Sequence, residues 1–100
     1  MENGPPALAF YIPDELEPGV YANALSAWHT EHEFTLDFAA LRGPRVGEDG
    51  EIVLSYRVGT RVKLPATMIF EVIRELNRDM TEYEREFGEI RRPGRPGAQE

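Results

Sequence analysis

The sequence predicts an α+β fold: a three-stranded antiparallel meander followed by one long C-terminal helix packed on its apolar face, in the order β-β-β-α and in a dimeric protein. Three observations carry this. Phe34, Leu36 and Phe38 alternate with Glu33, Thr35 and Asp37, the period of a half-buried strand. Two further β-rich runs flank that stretch, each set off by polar or glycine-rich breaks. From Ile69 the apolar residues fall at Ile69, Ile73, Leu76, Met80, Tyr83 and Phe87. The steps alternate four and three, the heptad seam that lets a helix lie along a sheet or another helix.

The first strand is expected over Gly19–His29 and the second over Glu33–Leu41, joined by the loop Thr30, Glu31 and His32. That loop length places Trp28 opposite Phe34, Ser26 opposite Leu36 and Ala24 opposite Phe38, small against large on the buried face, with His29 opposite Glu33. Arg42 to Gly50 reads as a long, mobile hairpin loop, rich in Gly and Pro. The third strand is expected over Glu51–Val58, with Ile52, Leu54, Tyr56 and Val58 on one face, and Gly59 marks a bulge or bend. Pro65 suits a first helical turn, where its missing N–H has no partner; Leu64 or Thr67 would cap it. The helix should end at Phe87, with Gly88 left-handed and Ile90 folding back. Four-apart ion pairs, Arg78–Glu82 and Arg85–Glu89, are expected on its outer face.

One hundred residues without cysteine allow one domain, expected over residues 10–90, with no disulfide or thiolate metal site to brace it. Residues 1–9 read as a flexible tail and residues 91–100 as a disordered Arg/Pro/Gly tail. A core this small is marginal alone, so self-association is the expected remedy. The first residues lack the basic start and apolar run of a signal peptide, and no stretch is long enough to span a bilayer; a cytoplasmic protein is expected. The net charge is −7, with the only basic excess after residue 90. An acidic body argues against broad binding to a phosphate backbone.

Chemistry-bearing motifs are few. His29-Thr30-Glu31-His32-Glu33 holds two imidazoles among carboxylates, but a tight turn does not aim both at one metal and the chain has no third His and no Cys. No metal and no cofactor is expected. Ser26 and Ser55 lie in strands without a nucleophile turn, and no phosphate-binding glycine loop occurs, so no catalytic residue is assigned. Tyr21, Asn23, Leu25 and Asp37 share the outer sheet face, apolar enough for a second contact surface. Arg91, Arg92 and Arg95 loosely resemble a minor-groove arginine hook, with Pro93 where the motif has Arg.

Val20-Tyr21-Ala22-Asn23, a strand ending near His29, Glu33-Phe34-x-Leu36-Asp37-Phe38 and a closing Tyr83-Glu84-x-x-Phe87-Gly88 together resemble a family of small bacterial and archaeal proteins known only as a domain of unknown function. The likeness covers residues 10–90 and departs at Leu64, where the family pattern has Ser or Thr before the proline. It implies a compact β-β-β-α unit and brings no activity. The leading expectation is a non-enzymatic homo-oligomeric interaction module whose partner is a second copy of itself. The alternatives are a dimeric regulator touching nucleic acid through the arginine tail, or a small-molecule-binding dimer. Nucleic acid ranks low and a membrane is not expected.

Overall fold

The computed structural model describes residues 4–92. A 3-10 turn at Asp14–Leu16 precedes strands β1 (Ala24–His29), β2 (Glu33–Val46) and β3 (Ile52–Pro65). A second 3-10 turn, Ala66–Met68, leads into helix α1 (Ile69–Phe87). The strands form one antiparallel sheet in the order β1-β2-β3, so the expected class and element order hold. The described residues divide into two compact units, residues 4–27 with 36–62 and residues 28–35 with 63–92.

In the first unit, β1 starts five residues later than expected. Asn23 explains the delay: its N–H donates to Ala39 O at 2.9 Å, while its side-chain Oδ1 accepts the Leu41 N–H at 3.1 Å. A side chain thus stands in for the backbone at the strand's entrance. The expected long hairpin loop is also corrected. β2 runs on to Val46, through Gly43 and Pro44, and the turn closes tightly, with Gly47 N–H donating to Glu51 O at 2.8 Å and Gly50 N–H to Gly47 O at 3.0 Å. Gly50, at φ +83°, supplies the left-handed residue this turn needs.

The sides of the sheet sort differently from the simple alternation. Ala24 and Ser26 line one shallow depression with Asp37, Ala39, Tyr56 and Val58. The same depression takes in Leu25, and the Asn23 N–H bond to Ala39 O keeps Asn23 opposite Ala39, as the expected register has it. On β3, Tyr56 and Val58 line the depression with Asp37, and Arg61 reaches Asp37 from beyond Gly59. The opposite side carries the N-terminal segment: Ile12, Leu16, Val20 and Ala22 line an apolar groove with Phe38 and Val62. A Cβ on residue 59 would lie 3.0 Å from Val20 Cγ1, so glycine there lets the segment come close.

In the second unit, Thr30 N–H donates to Glu33 O at 2.9 Å, and the His29 ring lies 5.5 Å from Phe34 rather than beside Glu33. At the tip the pairing is one residue away from the expected register. The Ala66 N–H donates to His32 O at 2.9 Å. Pro65 ends β3 instead of opening α1, which starts at Ile69 behind Met68 without a side-chain cap. The far end matches expectation: Gly88, at φ +99°, follows Phe87 and donates its N–H to Glu84 O at 2.9 Å, and Ile90 N–H turns back to Glu84 Oε2 at 3.0 Å. The ion pairs run the other way from those expected. Arg74 meets Glu71, Arg78 meets Glu75 at 2.5 Å and Arg85 meets Glu82 at 2.6 Å. Helical side chains lean toward the N-terminus, so each arginine reaches the turn before it.

No residue of α1 is buried. Ile69 is half-buried, while Ile73, Leu76, Met80, Tyr83 and Phe87 are exposed, Leu76 at 67%.

Candidate functional site

Among the described residues, the buried side chains all belong to β2: Thr35 at 1%, Asp37 at 7% and Ala39 at 7% exposure. A central strand is screened by neighbours on both flanks, so short side chains there lose water whatever their polarity. Burying a carboxylate is costly unless it is paired. Asp37 is paired bidentately: Arg61 Nε donates to Oδ1 at 2.6 Å and Nη2 to Oδ2 at 2.8 Å. The planar guanidinium matches both oxygens at once. The hydrogen bonds that Arg61 donates to Asp37, and then the charge of that carboxylate, raise the guanidinium above its ordinary pKa.

Thr35 has its own partner in the second unit. Lys63 Nζ donates to Thr35 Oγ1 at 3.1 Å and to Glu33 Oε1 at 3.2 Å, and sits 5.2 Å from the centre of the Trp28 ring. One ammonium thus bridges a hydroxyl, a carboxylate and an aromatic face. No buried side-chain polar atom of the described residues lacks a hydrogen bond.

The four outer-face residues separate in the structure. Leu25 and Asp37 line the same depression. Asn23 braces the backbone of β2, and Tyr21 stands exposed ahead of β1. The seam residues Ile73, Leu76, Met80, Tyr83 and Phe87 form an exposed apolar stripe, and the Tyr83 and Phe87 rings stack at 5.0 Å. At the hairpin tip, His32 Nε2 lies 3.9 Å from Glu31 Oε1 with both side chains in solvent, while His29 leans on Phe34. No group of three metal-capable side chains occurs among the described residues. Arg91 and Arg92 are exposed, and Arg95 lies outside the described residues.

Sequence reasoning missed Arg61 and Lys63, because it ended the third strand at Val58. A signal was present. Asp37–Arg61, Thr35–Lys63 and Gly47–Glu51 are nested pairs with Asp49 at the midpoint of each. Extending that hairpin count past Gly59 finds both cations.

No family model, curated protein or solved structure matches the chain. Among the described residues, no helix is long and apolar enough to cross a membrane.

Proposed function

We propose that the chain is a non-enzymatic homo-oligomeric interaction module that buries the α1 seam against a second copy of itself. One observation carries this reading: Ala39 is the one hydrophobic residue buried among the described residues, while Ile73, Leu76, Met80, Tyr83 and Phe87 stand in solvent. Apolar burial is the main favourable term in folding, at about 25 cal/mol per Å2. A chain that buries so little has little to offset its conformational entropy.

A second copy is the occupant this surface fits. The 19 residues of α1 keep a heptad seam without interruption. Two such seams are self-complementary and pair about a two-fold axis. The helix's other side is already engaged in its own Arg–Glu pairs, which leaves the apolar stripe as the unsatisfied face. Light scattering across a dilution series tests the reading. A mass at a multiple of 11.4 kDa is expected, and a single-chain mass from a folded sample at all concentrations refutes it.

A further inference from the structure

The arginines of β2, β3 and α1 fall into two groups. Arg61, Arg74, Arg78 and Arg85 each sit on a carboxylate. Arg42, Arg45 and Arg57 make no side-chain hydrogen bond or ion pair among the described residues. All three line one open cleft of about 580 Å3 on the β2–β3 hairpin of the first unit, with Ser55, Tyr56 and Gly43 beside them and no acidic side chain in the lining.

Three uncompensated cations held together repel one another, and in a chain of net charge −7 there are carboxylates enough to pair them all. Placed without an acid among them, they form a site that a bound anion would complete. We propose that this cleft binds a compact polyphosphate anion: pyrophosphate, or the polyphosphate chain of a nucleotide. The guanidinium is a planar fork that meets phosphate oxygens two at a time, stays charged at any physiological pH, and gives up its hydration more readily than an ammonium. The Ser55 hydroxyl adds a neutral donor that suits the same oxygens. Three arginines match the three to four negative charges of pyrophosphate or a nucleotide triphosphate, where a lone carboxylate would leave most of the positive charge standing. The volume falls in the range of small-ligand pockets, roughly 300–1,000 Å3.

A nucleic acid fits less well. A long polyanion needs a basic track beyond the first few phosphates. Here residues 1–18 carry −4, and so do residues 65–90. The acidic remainder repels an extended chain and spares a compact ligand confined to the hairpin. The inference concerns the hairpin alone and does not depend on the oligomeric reading.

The test is titration calorimetry on the full chain in low-salt buffer, with pyrophosphate, ATP, a single-stranded oligonucleotide and polyglutamate as probes. Pyrophosphate and ATP should bind once per chain. The triple variant Arg42→Gln/Arg45→Gln/Arg57→Gln should weaken both by at least about tenfold, each single variant should weaken them less, and Arg91→Gln/Arg92→Gln should leave them unchanged. Circular dichroism verifies that each variant is folded, and the single variants decide the matter if the triple one is not. No pyrophosphate binding by the native chain overturns the proposal. So does equal binding by the arginine variants, or binding of the oligonucleotide or polyglutamate without pyrophosphate. A change of mass in light scattering on the triple variant, with pyrophosphate affinity untouched, would instead assign the arginines to an acidic segment of another copy and equally refute the ligand site.

Discussion

The centre of β2 and the stripe along α1 treat side chains in opposite ways. β2 buries Thr35 and Asp37, a hydroxyl and a carboxylate, whereas α1 leaves Leu76, Tyr83 and Phe87 in water. Hydrophobicity ranks these residues in the reverse order. The difference teaches that burial within one copy follows position. A middle strand is covered by its neighbours' side chains regardless of chemistry, and its polar groups are then made tolerable by pairing with Arg61 and Lys63. On α1, Leu76, Tyr83 and Phe87 stand exposed beside a flank of Arg–Glu pairs. Polarity inside is a solved problem in this chain, and apolarity outside is an open one.

The largest expected effect breaks the comparison on the helix side. In an isolated chain, Leu76 at 67% exposure has little to lose, and Leu76→Ala should be nearly silent. Buried between two seams, the same change should cost about 2–5 kcal/mol. Urea denaturation at several protein concentrations separates the two cases. The oligomeric reading expects a large loss, with midpoints that rise with concentration. A loss below about 0.5 kcal/mol, independent of concentration, would return the seam to solvent for good.

On the strand side, the informative quantity is an asymmetry. Arg61→Ala leaves a buried carboxylate without its bidentate partner. Asp37→Ala leaves a guanidinium whose side chain is already 52% exposed. Orphaning the buried charge is the costlier change, so Arg61→Ala should lower the urea midpoint more than Asp37→Ala. The double variant should recover part of the Arg61→Ala loss. A double variant as unstable as the sum of the singles would mean that the pair is not coupled. The sign with pH is fixed. Because Asp37 raises the Arg61 pKa, the stabilisation is fully present below the ordinary guanidinium value and is lost only as pH climbs through the raised one. Titration toward mild alkali should therefore leave this contribution intact.

What the sequence makes legible follows the same division. Local periods are readable: the strand β2, the long helix and the helix stop at Gly88 all stand where the pattern puts them. Register is not, because the tip of the first hairpin offers no residue that distinguishes a pairing of Thr30 with Glu33 from one a step away. A one-residue slip at the tip exchanges the sides of the two strands there, and on β2 the Asp37 side, expected to face outward, is the more enclosed one. The site shared that fate. Asp37 was conspicuous as a mid-strand acid, but Arg61 lay past Gly59, beyond the point where simple alternation carries. Pro65 misled for a related reason: a proline that suits a helix's first turn also suits a strand's last residue, where its missing N–H costs no ladder bond.

Gly88 gives a smaller, purely local effect. At φ +99° it occupies backbone space that side chains rarely adopt, although a Cβ there would touch nothing within 4 Å. Gly88→Ala should cost about 1 kcal/mol from conformation alone, with no change in oligomeric mass. A change of mass would place the C-terminal end of α1 inside the interface and extend the seam past Phe87.

The smallest expected effect is on the polar side of the helix. Arg78 makes a 2.5 Å contact with Glu75, yet both side chains stay largely in solvent, where water screens the attraction and the long side chains lose entropy in holding one geometry. Arg78→Ala should therefore change stability by no more than about 0.5 kcal/mol, and its light-scattering mass should equal that of the native chain. Arg78 lies two residues from Leu76, so the pair reads the rotational setting of α1 directly, since residues two apart on a helix do not share a face. A silent Arg78 beside a sensitive Leu76 fixes the interface on the seam. Two variants of equal effect would mean that the buried face runs elsewhere around the helix, and the contrast between an unsatisfied stripe and a satisfied polar flank would fall with it.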